Sequence, residues 1–201
     1  MLLGSTHHLG WNNRLNKVAI LWQLTIPAAA AVAFWWWPAG NALLEYQASI
    51  PLFQQLWVLI TAPLLHTNFY HLIMNIAAYG LIASLSVCCL ASWRMPALTL
   101  LLGGLSTLGF ALFNQQLSSL VGLSGALHGV VAYLIIREFS TGPKFMLFLA
   151  VGLVVKLLWE QFIGGSSYTA TLIDANVAVL SHLAGAISGA LLGISISVMS
   201  R

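Results

Sequence analysis

The chain has 201 residues, of which 60% are hydrophobic and only 5% are charged. A soluble domain carries roughly 25% charged residues because its surface faces water, so this composition excludes an ordinary soluble protein. The formal net charge of +3 comes from basic residues that are scattered singly, which predicts no nucleic-acid partner.

Long apolar segments recur along the chain. A bilayer core about 30 Å thick needs about 20 apolar residues per helix. The pattern predicts an all-α membrane protein with six spans, near residues 18–37, 69–90, 96–114, 121–137, 144–162 and 177–198. Because no repeat or low-complexity linker separates them, we predict one domain over residues 1–201. It has an N-terminal tail at 1–17 and an interfacial outer loop at about 38–68.

The basic residues predict the orientation, since positive charge concentrates on the cytoplasmic side. With both termini cytoplasmic, six basic residues lie inside: Arg14, Lys17, Arg94, Arg137, Lys144 and Arg201. Glu45, Glu160 and Asp174 then lie outside or at the outer boundary. Lys156 falls within the fifth span, four residues before Glu160, so we interpret these two as an ion pair extending outward.

The segment at 41–65 is too polar, and too interrupted by Pro51 and Pro63, to span a membrane. Its apolar residues nevertheless recur at helical spacing: Leu52, Phe53, Leu56, Trp57, Leu59 and Ile60. We predict an amphipathic segment that lies in the outer interface.

Ser124 lies two residues after Gly122, in the stretch VGLSGALHG at residues 121–129. Arg137, at the inner boundary, is 13 residues later, which is about 20 Å of helix in a core about 30 Å thick. The fourth helix is therefore predicted to be short and to begin inside the membrane at residues 122–124. Its unpaired N–H groups must face protein or water, which predicts a wet cavity open to the outer side.

Other polar side chains fall at a similar depth. His71 and Asn75 are four residues apart on one face of the second span, and His182 lies five residues into the sixth. Ionisable residues inside spans are costly and mark candidate functional sites. Each of these side chains can also be explained as a hydrogen-bonding group between helices. Together with Ser124, however, they supply a nucleophile, a base and oxyanion donors.

Three motifs resemble those of the rhomboid intramembrane serine proteases. GLSGALHG is similar to their Gly-x-Ser-Gly motif, HTNFYHLIMN (66–75) to their His-x4-His-x3-Asn signature, and SHLAGAISG (181–189) to their sixth-helix motif. The motifs occur in the expected order on the second, fourth and sixth spans. Val58 follows Trp57 where rhomboids often carry a Trp-Arg pair.

The resemblance implies that Ser124 is the nucleophile and that His182 is the general base and then the acid. The backbone N–H of Ser124 and the side chains of His71 and Asn75 would stabilise the oxyanion. His66 is expected to brace the outer loop.

The glycines would let the catalytic helices approach closely, with Gly125 and Gly129 facing Gly185 and Gly189. We expect no acid near His182, since Glu138 is at the cytoplasmic end and Asp174 lies eight residues before the histidine. The expected catalytic unit is therefore a Ser-His dyad.

His128 shares a helix face with Ser124, at a position where many rhomboids carry a large aromatic residue. We expect its ring to stack on, or hydrogen-bond to, His182 and so orient the base. Alternatively, His128 bonds only to a carbonyl of a neighbouring helix.

The pattern Gly-x-Ser-Gly-x-x-His-Gly is similar to that of the rhombosortase branch. The branch implies a bacterial inner-membrane protease and substrates with a C-terminal Gly-Gly motif, an apolar helix and a basic tail. Each glycine lowers helix stability by about 1 kcal/mol relative to alanine, so a Gly-Gly pair would fray into the extended form a protease needs.

Two other functions remain open. A catalytically inactive rhomboid-like protein binds membrane clients but typically lacks the serine or the histidine. A His-lined transporter or metal site would use the histidines, but no carboxylate or thiolate joins them in the sequence, so we expect no metal or other cofactor. Labelling by a serine-directed fluorophosphonate, absent in Ser124→Ala, distinguishes these classes.

Overall fold

The computed structural model describes residues 21–37, 43–85, 94–114 and 116–199. The predicted tail at 1–17 and the terminal Arg201 lie outside the described residues. Within the described ranges the fold is helical apart from one short strand pair. The predicted helical class is therefore confirmed.

The described residues form eight α-helices: α1 Thr25–Trp36, α2 Val58–Thr61, α3 Phe69–Leu85, α4 Arg94–Phe113, α5 Ser124–Glu138, α6 Pro143–Phe162, α7 Ser167–Ile173 and α8 Val179–Met199. Short 3-10 turns at Leu52–Gln54 and Ala62–Leu64 precede and follow α2. The strands β1 (Tyr46–Gln47) and β2 (Ser119–Leu120) pair antiparallel and join the outer loop to the segment before α5.

Three described helices, α4, α6 and α8, are long and apolar enough to cross a membrane. Shorter apolar helices occur at Leu21–Trp36 and Phe69–Ser84. The helix α5 begins at Ser124 and has 15 residues, which corresponds to about 22 Å. A helix therefore occurs at each of the six predicted spans, whereas the crossing of the bilayer by all six, and the start of α5 within it, remain predictions.

The helices α5 and α8 form the most extensive helix contact. A Cβ atom at Gly185 would collide with the carbonyl oxygen of Gly125, and one at Gly189 with that of Gly129. Only glycine therefore permits this backbone contact, which is the close approach expected from the sequence. The contact brings the first turn of α5 beside the first turn of α8.

The helix α4 packs against both α5 and α8. Its Ser106 hydroxyl donates a hydrogen bond of 3.0 Å to the carbonyl of Ser181, the residue before His182. Leu102 of α4 and Val130 of α5 are fully buried in the central core. The backbone of α8 is thus fixed at the level of His182.

The outer loop is built from short turns rather than one amphipathic helix, and Pro51 and Pro63 occur at those turns. Apolar side chains face outward, as expected for an interfacial segment: Phe53, Leu56 and Ile60 are exposed. Gln55 is buried instead and holds the loop together, because its Nε2 donates to the carbonyls of Gln47 and Ile50 at 2.6 Å each.

Candidate active site

Ser124 and His182 lie within hydrogen-bonding distance. Ser124 is the first residue of α5, and His182 lies in the first turn of α8. The Nε2 atom of His182 is 2.9 Å from the Oγ atom of Ser124, and the histidine is buried. This is the geometry in which an imidazole takes the proton of a serine hydroxyl.

The other ring nitrogen of His182 contacts a carboxylate. Nδ1 is 2.8 Å from Oε2 of Glu160 on α6, so the expectation that no acid lies near His182 is wrong. The spacing in the sequence predicts an ion pair between Glu160 and Lys156. That pair is present, with 2.5 Å between Nζ of Lys156 and Oε1 of Glu160. The ion pair uses only one of the two carboxylate oxygens, which leaves the other for the histidine.

A signal for Glu160 was present in the sequence. Glu160 lies two residues from the outer end of the fifth predicted span, and His182 lies five residues from the outer end of the sixth. Counting residues from the span ends places Ser124 and the histidines at a similar depth, and the same count places the carboxylate of Glu160 there too. It was missed because a partner four residues away already explained its charge.

His128 packs against the same histidine. The rings of His128 and His182 are stacked, with centroids 4.2 Å apart and planes inclined by 16°. Nδ1 of His128 also donates to the carbonyl oxygen of Ser124, 2.7 Å away. The stack and a carbonyl bond therefore coexist, and the carbonyl belongs to the same helix rather than to a neighbouring one.

His71 and Asn75 lie on α3 at the edge of the same cavity. Nδ1 of His71 faces Thr67, at 3.0 Å from its hydroxyl and 3.4 Å from its backbone nitrogen. Nε2 of His71 consequently faces Gly122, the residue two before Ser124. Asn75 donates one amide hydrogen to the carbonyl of His71 at 3.1 Å.

Gly122 shapes the approach to the serine. Its φ angle is +115°, a conformation that side-chain-bearing residues rarely adopt. A Cβ atom there would lie 2.7 Å from Cε1 and Nε2 of His71. Its N–H donates to the carbonyl of Ala62 at 3.0 Å, which ties the start of α5 to the outer loop.

His66 lies behind His71 and is almost fully buried. Its Nδ1 donates to the carbonyl of Leu64 at 3.1 Å, and its ring packs edge-on against that of His71. Burial, followed by the neighbouring His71, lowers the pKa of His66 to about 3. His66 therefore contacts both the outer loop and His71, and its bracing role remains a prediction.

Two residues of the HTNFYH stretch connect α3 to the short helix α7. The Thr67 hydroxyl donates to the carbonyl of Ile173 at 2.6 Å, and the Asn68 amide donates to that of Leu172 at 2.9 Å. Sequence reasoning did not identify either contact, because both acceptors are backbone carbonyls more than 100 residues away. They hold the segment containing α7 at the cavity.

A cavity of about 860 Å³ opens at Ser124. Most of its lining is apolar, and two helices contribute to it, with Met74, Ala78 and Ile82 on α3 and Phe148, Gly152 and Trp159 on α6. His71, Asn75, His128, Glu160 and His182 line its polar end. The cavity therefore combines an apolar passage with a polar end at the serine.

Among the described residues, one group of His and Glu side chains is close enough to hold a metal ion. The donor atoms of His128, Glu160 and His182 lie within 4.8 Å of one another. Both ring nitrogens of His182 are already engaged, one by Ser124 and one by Glu160. Because a metal ion would have to displace one of these bonds, the arrangement suits proton transfer better than metal binding.

A comparison with curated proteins finds no match. A family model described as "Rhomboid domain" matches residues 53–198, a range that includes every residue of the site described above. Because this match covers well over half of the chain, this integral membrane protein belongs to the rhomboid family, which is known for serine intramembrane proteases.

Proposed function

We propose that this protein is an active intramembrane serine protease in which Ser124 is the nucleophile and His182 is the general base. The observation that carries this proposal is the 2.9 Å contact between Ser124 Oγ and His182 Nε2 at the end of a mainly apolar cavity. An inactive client-binding relative is disfavoured because both residues are present and in contact.

The reaction follows from the position of the two side chains. Oγ of Ser124 attacks the carbonyl carbon of the scissile peptide bond, and its proton passes to Nε2 of His182. When the C–N bond breaks, His182 returns that proton to the departing amine. A water molecule, deprotonated by His182, then attacks the acyl carbon. His182 returns that proton to Oγ of Ser124 as the ester C–O bond breaks, which releases the acid product and restores the serine.

The tetrahedral intermediate carries a negative oxygen that needs hydrogen-bond donors. The backbone N–H of Ser124 is one donor, because the first N–H groups of a helix have no partner within it. Asn75 supplies an amide hydrogen, and His71 supplies Nε2–H when its proton is on that nitrogen. Both side chains line the cavity beside the serine.

The cavity supports entry of a substrate between α3 and α6, whose apolar side chains match the side chains of a transmembrane segment. We place the chain in a bacterial inner membrane with both termini cytoplasmic, so that the serine is reached from the outer side. The substrate class we propose is that of the rhombosortase branch, with a C-terminal Gly-Gly motif before an apolar helix. The residues that support this branch are Gly122, Ser124, Gly125, His128 and Gly129.

Fluorophosphonate labelling in native membranes tests the protease assignment. The wild-type chain should be labelled, and Ser124→Ala should not be. Ser195→Ala, which removes an exposed hydroxyl elsewhere on α8, is the matched control and should be labelled normally. Equal labelling of Ser124→Ala and wild type would contradict the assignment.

Co-expression with a tailed substrate tests the proposed specificity. A substrate with Gly-Gly, an apolar helix and a basic tail should be cut near the glycines, as determined from the mass of the released tail. Replacing Gly-Gly by Leu-Leu, while keeping the helix and the tail, should abolish the cut. Equal cleavage of both substrates would contradict the Gly-Gly preference without affecting the protease assignment.

A further inference from the structure

Glu160 is a buried carboxylate on a mainly apolar helix. It is 7% exposed, and it lies two residues before Phe162, the last residue of α6. Removing a carboxylate from water is costly unless its oxygens are paired. Each oxygen of Glu160 has one partner, with Oε1 bonded to Lys156 and Oε2 bonded to His182.

The bond to His182 determines which nitrogen of that ring carries the proton. An ionised carboxylate only accepts hydrogen bonds, so the 2.8 Å contact requires a hydrogen on Nδ1. In the neutral ring, Nε2 then has a free lone pair, and it faces the Ser124 hydroxyl at 2.9 Å. This is the tautomer that a general base needs.

The stacked ring of His128 constrains His182 in a different way. A parallel ring fixes the plane of the imidazole but does not define its rotation within that plane. The hydrogen bond to Glu160 defines that rotation. The two contacts together therefore fix both the plane and the direction of Nε2.

The charged and titratable groups around His182 come from three helices. His71 is on α3, His128 is on α5, and Lys156 and Glu160 are on α6. Glu160 is the one negative group of this set. When His182 takes the serine proton and becomes positive, this carboxylate is the group among them that stabilises the charge.

We propose that Glu160 is a positioning residue that completes a Ser124–His182–Glu160 triad, supplied by the helix that also forms one wall of the substrate cavity. This inference rests on the proposed protease function, because it assigns the carboxylate to the same proton transfer. In place of the expected Ser-His dyad, the inference gives a triad in which the charge on the protonated base is stabilised by a carboxylate.

The competing explanation is that Glu160 serves only to neutralise Lys156. In that case the Glu160 side chain could turn toward the cavity together with the half-exposed Lys156, and its Oε2 atom would need no buried hydrogen-bond partner. The side chain of Lys156 is 47% exposed, whereas that of Glu160 is 9% exposed and faces His182. The two explanations make different predictions for a variant that removes both charges.

The first experiment measures kcat, KM and the pH profile of Glu160→Gln with the Gly-Gly-tailed substrate or any other substrate that the wild type cleaves. The amide keeps the shape but removes the charge, and its single oxygen can accept from Nδ1–H of His182 or from Lys156, not from both. The expected kcat is lower by between about tenfold and 10⁴-fold, the larger factor being that for the corresponding Asp to Asn change in a soluble serine protease. KM should change little, and the pH profile of kcat/KM should differ from that of the wild type because a charge beside the general base has been removed.

The matched control is Glu138→Gln, the same chemical change at the cytoplasmic end of α5, where the carboxylate bonds to Thr141. It should keep the wild-type kcat and pH profile. Glu160→Asp retains the charge on a shorter side chain and should recover part of the lost kcat. The thermal midpoint of each variant in detergent shows whether it is folded.

The double variant Lys156→Met, Glu160→Gln separates the two explanations. If Glu160 acts on His182, the double variant stays as slow as Glu160→Gln. Recovery of wild-type kcat in the double variant, or an unchanged kcat and pH profile in folded Glu160→Gln, would overturn the inference while leaving Ser124 and His182 in their roles. A folded wild type that neither cleaves nor takes the fluorophosphonate label would instead overturn the proposed function, and this inference with it.

Discussion

The imidazole rings of His128 and His182 lie nearly parallel, with their centroids 4.2 Å apart. His128 is itself anchored, because its Nδ1 donates to the carbonyl of Ser124 at 2.7 Å. The residue one turn after the candidate nucleophile thus holds the ring of the candidate base. The first turn of α5 therefore positions both partners of the proton transfer, Ser124 directly and His182 through the ring of His128.

The stack predicts different outcomes for two replacements of His128. His128→Tyr should retain substantial cleavage, because an aromatic plane can still pack against His182. His128→Ala should lose much of the cleavage without unfolding, since the base is then free to tilt. The measurement is kcat together with the thermal midpoint. Equal, poor cleavage by folded Tyr and Ala variants would show that stacking is not the contribution of His128.

The contact between Ser124 and His182 predicts strongly non-additive kinetics. Ser124→Ala and His182→Ala should each reduce cleavage to background, and the double variant should be little slower than either single variant, because the two side chains act as a unit. Single-turnover rates and circular dichroism spectra of all three variants are the measurements required. Full cleavage by Ser124→Ala would exclude a serine mechanism.

Asn75 should matter to turnover more than to substrate binding. Removing one preorganised oxyanion donor typically lowers the rate by about 10²–10³. Asn75→Ala should therefore lower kcat by a factor of this order with little change in KM. Asn68→Ala is a useful comparison, because that amide bonds to the carbonyl of Leu172 instead of lining the cavity. A raised KM with unchanged kcat in Asn75→Ala would contradict an oxyanion role.

The helical class and the grouping of Ser124, His71, Asn75 and His182 could be predicted from the sequence, because the bilayer relates residue number to depth. Depth alone does not say which helices are neighbours or how they are rotated. The side chain of Glu160 faces α8 because of how α6 is rotated about its axis, and no local pattern encodes that rotation.

The outer elements were harder to predict for a different reason. The strand pair of Tyr46–Gln47 with Ser119–Leu120 and the short helix Ser167–Ile173 are held by contacts distant in sequence. Gln55 falls between the apolar positions of its segment, yet it is buried because two backbone carbonyls accept its amide hydrogens. In an interfacial loop, a polar side chain can therefore be the core residue while apolar side chains face outward.

The buried His66 predicts a loss of stability in acid. Its pKa is lowered from the ordinary value of 6.5 to about 3, first by burial and then by His71. Below pH 6.5 the unfolded chain binds a proton at this position that the folded chain does not, so stability falls as the pH decreases toward 3. His66→Asn, which does not titrate and offers an amide donor to the Leu64 carbonyl, should show a thermal midpoint that falls less between pH 7 and pH 5. Identical pH dependence of the two proteins would contradict the assignment.

The glycine contacts between α5 and α8 predict a graded loss of activity. A methyl group at Gly185 would strike the carbonyl oxygen of Gly125, the residue next to Ser124, and a backbone oxygen cannot rotate away. Gly185→Ala should lower the free energy of unfolding by at least the roughly 1–3 kcal/mol typical of overpacking. It should also abolish cleavage by separating Ser124 from His182.

Gly189→Ala strikes Gly129, about one turn deeper along the same pair of helices. It should cost a similar free energy of unfolding but retain more cleavage, because the distortion is farther from the serine. Gly80→Ala on α3, where a Cβ atom meets nothing within 4 Å, is the matched control and should keep both stability and cleavage. The measurements are unfolding midpoints in mixed detergent and cleavage rates at temperatures well below them. Greater loss of cleavage in Gly189→Ala than in Gly185→Ala would show that the close approach near Ser124 does not control the distance between the serine and the histidine.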